Sequence, residues 1–112
     1  MSTKHRSVVD YFAFINSDDK SKTIQVFASD AEVFDDGHTY RGRTEILRWL
    51  TGAATEYNTT STELSATTTP NAASVTVRLE GDFPGGRVDL QHDFSLNTED
   101  KVTRLTISVS DR

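Results

Sequence analysis

Val8, Tyr11, Phe12 and Ile15 fall at i, i+3, i+4 and i+7, the apolar stripe of an amphipathic helix, and predict a first helix from about Thr3 to Asn16. Asn16-Ser17-Asp18-Asp19 then supplies both a stop and a new N-cap. Ile24 and Phe27, three apart in a polar setting, predict a brief second helix ending near Ala28. Beyond it the rhythm changes to alternation. Ala31, Val33 and Asp35 alternate with Glu32, Phe34 and Asp36, so a strand here points Asp35 to the same side as Val33. Asp36-Gly37 is a turn signal, His38 to Arg41 returns as a short strand, and Gly42 punctuates the chain. Ile46, Trp49, Leu50, Ala53 and Tyr57 form the apolar face of the longest predicted helix, Arg43 to Tyr57.

From Asn58 onward Thr, Ser and Val in alternating patterns replace the helical period. Thr59 to Thr69 reads as a polar strand. Val75, Val77, Leu79, Gly81 and Phe83 alternate, Pro84-Gly85-Gly86 turns the chain, and Val88, Leu90, His92, Phe94 and Leu96 alternate on the way back. Asn97 to Lys101 is a second hairpin loop, and Leu105, Ile107 and Val109 finish a last strand whose other face carries Arg104, Thr106 and Ser108. Helices first and an antiparallel meander afterwards imply an α+β domain with the helices on one face of a bent sheet. At 112 residues the chain has room for one domain, 1–112.

Charge and composition remove several function classes. Twelve basic against 17 acidic residues leave a net charge of −5 with no stripe of Lys or Arg, which argues against nucleic acid as a partner. The absence of cysteine excludes a disulfide framework, a thiolate metal site and a cysteine nucleophile. His5, His38 and His92 sit in separate elements without ligand spacing, so no metal is expected. No span approaches the ~20 apolar residues of a membrane helix, and Asp10 interrupts any secretory segment, so no membrane and a cytoplasmic location are the expectations. Gly85-Gly86 lacks the lysine and the following helix of a phosphate loop, no nucleophile elbow is present, and no cofactor is expected.

The residues left with chemistry each have a plain and a chemical reading. A half-buried Asp35 is costly unless it is hydrogen-bonded or paired, or works as an acid or base; its plain role is as an acceptor for the turn it precedes, although Asp36 is better placed for that. His92 lies between Leu90 and Phe94 on an apolar face, where a lone histidine is more often core than catalyst. Beside Asp35 it becomes a group able to switch near neutral pH, a carboxylate favouring its charged form and burial its neutral form. Tyr11 lies in the first helix's apolar stripe, so only its hydroxyl is in question, and a buried hydroxyl needs a partner. Trp49, Tyr57, Phe83 and Phe94, with Val33 beside Asp35, either line a pocket for a flat apolar ligand or fill the core; Trp49 and Phe83 are the two expected to touch a ligand.

Phe27-Ala28-Ser29-Asp30-Ala31-Glu32-Val33-Phe34-Asp35, followed by Tyr40-Arg41-Gly42 and Ile46 to Trp49, resembles the passage from helix to strand to long helix in the nuclear transport factor 2-like superfamily, in its SnoaL-like and ketosteroid isomerase-like branch. The resemblance covers nearly the whole chain; the Phe94-Ser95-Leu96 and Leu105-Thr106-Ile107 hairpin is similar but generic. It implies a cone-shaped barrel, three N-terminal helices packed on a strongly curved, mostly antiparallel sheet, with a pocket opening toward one end and a homodimer formed through the sheet. Arg104, Thr106 and Ser108 would suit that flat, wet contact.

By the same resemblance Asp35 falls on the catalytic base, Tyr11 on the tyrosine that stabilises the enolate oxygen, and His92 where a protonated aspartate normally supplies the second oxyanion donor. The implied activity is proton abstraction next to a carbonyl of a small apolar ligand, as in an isomerase, a polyketide or other aldol-type cyclase, or a dehydratase. The alternative is a non-catalytic ligand-binding or dimeric association module. Epoxide hydrolysis, also found in the superfamily, ranks lower, because Arg78 and Arg87 face away from the Val77 and Val88 rows.

Overall fold

The alternation and the two helical stripes assemble on a single sheet. The computed structural model describes residues 5–17, 19–52 and 58–110. Helix α1 (Arg6–Ile15) leads into a 3₁₀ segment (Lys20–Val26), strands β1 (Phe27–Asp35) and β2 (His38–Arg41), helix α2 (Gly42–Thr51), and strands β3 (Thr59–Thr69), β4 (Ala72–Gly81), β5 (Arg87–Leu96) and β6 (Val102–Val109). The six strands form one curved sheet in the order β2-β1-β6-β5-β4-β3, antiparallel throughout except where β1 runs parallel to β6. Because β2 and β3 are its two edges, the sheet is open rather than a closed barrel. The third helix was expected to reach Tyr57; it is described to Thr51, and Ala53 and Tyr57 lie outside the described residues. Phe83, expected at the end of an alternating strand, sits in the β4–β5 loop instead.

Local chemistry explains the boundaries. The Asp100 carboxylate accepts from Ser7 N at 3.1 Å and Ser7 Oγ at 3.3 Å, so a β5–β6 turn residue caps α1 from a distance in sequence. Asp19 caps the 3₁₀ segment by accepting from Ser21 N at 3.1 Å. At the head of α2, Glu45 Oε1 accepts from Arg41 N at 2.7 Å, and its charge suits the helix N-terminus. β1 turns into β2 at Asp36 and Gly37, whose φ of 53° and 76° are the left-handed pair that a two-residue hairpin requires; Asp and Gly tolerate it.

The core lies between the helices' apolar faces and one side of the sheet. Val8 and Tyr11 of α1, and Ile46, Trp49 and Leu50 of α2, are buried with Val33, Val75, Val77, Phe94 and Leu105. Residues partnered across strands face the same way. Two rows follow: Val33–Leu105–Phe94–Ala73, wholly buried, and next to it Asp35–Ile107–His92–Val75. The second row ends on β1 at the carboxylate.

Candidate functional site

Asp35 closes β1 on the side occupied by Val33, and the turn that follows opens that side to a cavity of about 890 Å³. Its walls come from one end of the sheet. Asp35, Asp36 and Gly37 meet Leu79, Val88 and Leu90 of β4 and β5, the β4–β5 loop residues Phe83 and Pro84, and Ile107 and Val109 of β6; Thr59 and Ser108 complete the lining. The volume falls within the roughly 300–1,000 Å³ of small-molecule sites, and the wall is mainly apolar with a few polar groups, the usual make-up of such sites.

Trp49 fixes the carboxylate. On the buried face of α2, its indole Nε1 donates to Asp35 Oδ2 at 3.0 Å. Burial raises the Asp35 pKa above the ordinary carboxylate value; the Trp49 hydrogen bond opposes that shift, the Asp36 charge adds to it, and His38 works against it. Tyr40 packs 6.1 Å from the Trp49 ring, and its own hydroxyl is pushed up by burial and by the Asp35 and Asp36 charges. A base on this carboxylate would therefore hold its proton more tightly than a surface aspartate, the direction that general acid–base work near neutral pH requires.

Tyr11 and His92 meet each other in the core. Their ring centroids are 6.0 Å apart, with Phe94 5.3 Å from Tyr11 and Phe12 5.2 Å from His92. Neither belongs to the cavity lining. Burial drives the Tyr11 hydroxyl far up, and the Asp35 charge adds to the shift, so the phenol lies within electrostatic reach of the carboxylate. His92 and Asp35 occupy the same cross-strand row with Ile107 between them, two strand spacings or about 10 Å apart. The expected Asp35–His92 pair is thus replaced by a Trp49–Asp35 hydrogen bond. His92 is also no switch at neutral pH: burial among aromatic rings pulls its pKa down to about 4, and its Nδ1 has no hydrogen-bond partner among the described residues.

Of the residues considered for a pocket, Phe83 lines the cavity, Trp49 reaches it through Asp35, Val33 and Phe94 are buried in the core, and Tyr57 lies outside the described residues. Leu79, Val88, Leu90, Ile107 and Val109 are walls that the sequence marked as alternating strand positions without assigning them to a pocket. The signal for them was their place in the alternating rows near the ends of β4, β5 and β6, farther along the sheet than the buried row of Ala73, Phe94 and Leu105. On the other face, Arg78 Nε donates to Asp89 Oδ1 at 2.9 Å, and Asp93 accepts from Ser74 Oγ at 2.8 Å and from Gln91 Nε2 at 3.1 Å. Among the described residues no three metal-binding side chains come together, and no helix is long and apolar enough to cross a membrane.

Comparison with known proteins places this geometry in a family. The model of the SnoaL-like domain matches residues 8–104. No curated protein matches the chain. Among solved structures, a candidate polyketide cyclase from Sinorhizobium meliloti is 30% identical with a TM-score of 0.83, over 91% of this chain and 93% of that one. A Catenulispora acidiphila protein with a ketosteroid isomerase-like fold, solved with trimethylamine, is 18% identical with a TM-score of 0.83, over 97% of this chain and 88% of that one. Rv0760c from Mycobacterium tuberculosis, solved with estradiol-17β-hemisuccinate, is 13% identical with a TM-score of 0.77, over 94% of this chain and 92% of that one.

Proposed function

The chain belongs to the SnoaL-like domain family, and on that premise we propose that it is a small-molecule enzyme of the isomerase or cyclase type. Asp35 acts as general base on a proton next to a carbonyl. The observation that carries the reading is a raised-pKa carboxylate at an apolar cavity, held by the Trp49 indole. A ligand seated against Phe83 and Leu90 would bring its acidic carbon to the Asp35 oxygen that Trp49 leaves available. The electron pair left on that carbon moves into the carbonyl, and either the proton returns at another carbon or the enolate carbon attacks a second carbonyl, whose oxygen takes the electron pair and then the proton held by Asp35.

Tyr11, electrostatically coupled to Asp35 but buried outside the cavity lining, would donate to the developing oxyanion of a ligand that reaches past Ile107 toward the core. His92, neutral at pH 7, lies behind Ile107 and outside the cavity lining, so it is no part of the proposed oxyanion site. The similarity to a candidate polyketide cyclase, and neighbours solved with trimethylamine and estradiol-17β-hemisuccinate, support a small-molecule ligand. We further propose a homodimer through the open sheet face of Arg104 and Thr106; light scattering that returned a monomer at micromolar concentration would overturn it.

The test of the base is exchange of the α-protons of 2-tetralone in D₂O, followed by NMR. Wild-type protein should accelerate exchange, Asp35→Asn should lose roughly 10²–10⁴-fold of that acceleration, and Tyr11→Phe should leave a measurable remainder. Equal, small effects of the two substitutions would remove Asp35 from the role of base and leave a ligand-binding module.

A further inference from the structure

The cavity's lining is one-sided in charge. Among the described residues Asp35 and Asp36 are its carboxylates, the rest is apolar, hydroxyl or glycine, and no lysine or arginine belongs to it. Three of the sheet's cations are paired elsewhere, Arg78 with Asp89, and Arg41 and Arg104 with Glu32 at 3.1 and 3.5 Å, and the fourth, Arg87, acts on Asp89 of the outer face. Lys20, Arg43 and Lys101 donate to the carbonyls of Ile15, Ile24 and Gln25. Among the described residues Asp35 has no ion pair; its hydrogen bond comes from a neutral indole. His38, the titratable base nearest the turn, is exposed, and Tyr40 is kept neutral by burial and by the same two carboxylates.

We infer that the cavity selects its ligand by charge, binding neutral apolar carbonyl compounds and excluding anionic ones, carboxylates and phosphate esters included. This rests on the small-molecule reading above and narrows its substrate class. An anion entering an apolar wall gives up hydration and finds no cation to replace it. The same low-dielectric wall strengthens its repulsion from Asp35 and Asp36. A neutral ketone suffers neither effect, and its oxygen needs only a hydroxyl-type donor. A carbonyl compound still carrying a phosphate is therefore turned away, and the reaction that supplies the substrate must release it free of such a group.

The test uses two probes with one ring system, 2-acetylnaphthalene and 2-naphthoate, titrated into the protein at pH 8 and followed by amide chemical shifts. The ketone should bind at least tenfold more tightly than the carboxylate. In Asp35→Asn/Asp36→Asn that ratio should shrink at least fivefold, through a gain by naphthoate; each single substitution should shrink it partway and serves if the double variant does not fold. Equal binding of the two probes to wild type overturns charge selection, and so does a ratio that survives removal of both carboxylates, since plain hydrophobicity would then account for it. Both results leave the base assignment standing, because α-proton exchange tests that separately. Absence of ketone binding up to its solubility overturns the inference and the small-molecule reading together.

Discussion

Replacing His92 by Phe should flatten the acid side of the stability curve. The imidazole sits 6.2 Å from Phe94 in a stacked arrangement, with Tyr11 and Phe12 of α1 on its other sides, and burial holds its pKa near 4 against 6.5 for the free side chain. The folded-state value is depressed, so the fold favours the neutral ring. Its contribution is present above pH 6.5 and is lost as pH falls toward the folded value near 4, because the unfolded chain takes up a proton that the folded chain refuses. Each pH unit in that window is worth about 1.4 kcal/mol, so wild type should lose about 3 kcal/mol more than the variant between pH 7 and pH 4. For a domain of this size that is roughly 10–20 °C in Tm.

The assay is urea denaturation of wild type and His92→Phe at half-unit steps across this window, taken as a difference so that carboxylate titrations common to both cancel. At pH 7 the variant should match or exceed wild type, since it removes a buried Nδ1 with no partner among the described residues and fits an aromatic neighbourhood. His92→Leu should show the same flat acid response at lower absolute stability. Parallel loss of stability in wild type and both variants would refute the reasoning, showing that the folded protein accommodates a charged His92.

Asp35→Asn should leave Tm at pH 7 unchanged or raise it. The folded-state pKa is raised, so the fold favours the neutral form, and that contribution disappears as pH rises through the raised value. The amide keeps an acceptor for Trp49, and a fall of several degrees would mean the carboxylate holds the core. Trp49→Phe removes the donor 3.0 Å from Asp35 Oδ2 while keeping a ring; the Asp35 titration, followed by carboxyl carbon NMR, should move upward by about one pH unit, and no movement would remove Trp49 as a positioning residue. Gly81→Ala places a Cβ against the Asn58 carbonyl and 2.9 Å from Thr59 Cγ2 where β4 meets β3, and should cost about 1–3 kcal/mol in urea denaturation; a neutral result would show that the start of β3 can move aside.

Period and punctuation made the elements legible. The stripe of Val8, Tyr11, Phe12 and Ile15 gave α1, the run Asn16 to Asp19 held the cap of the 3₁₀ segment, and Asp36-Gly37 gave the β1–β2 hairpin that sets Asp35 at a cavity rim. These are local signals, carried by residues close in sequence. Strand adjacency is not local. The parallel pairing of β1 with β6, more than sixty residues later, inserts Ile107 between Asp35 and His92, and no pattern within either strand announces that neighbour. The same holds for Asp100, a loop residue by composition whose work is to cap α1 from 93 positions away. For Trp49, the helical period gave the buried face, but only the seating of α2 on β1 aims its indole nitrogen at Asp35 rather than into apolar surroundings.

This arrangement also accounts for an acid persisting on an inward-facing row. Val33, one pleat earlier, is fully buried under the helices, and an aspartate there would have to give up its charge. At Asp35 the strand ends, the turn opens the wall, and exposure rises, so burial costs the carboxylate less, and among the described residues the neutral indole of Trp49 is its donor. That donor matters more than its strength suggests. Without it, burial and the Asp36 charge would both push toward the protonated form. With it, one oxygen is fixed and the carboxylate is held between two tendencies, raised by burial and lowered by the indole. A structural turn acceptor needs no such balance, since Asp36 already occupies the turn, and an apolar residue at position 35 would complete the row at lower cost. That balance is what the proposed role of Asp35 as general base requires.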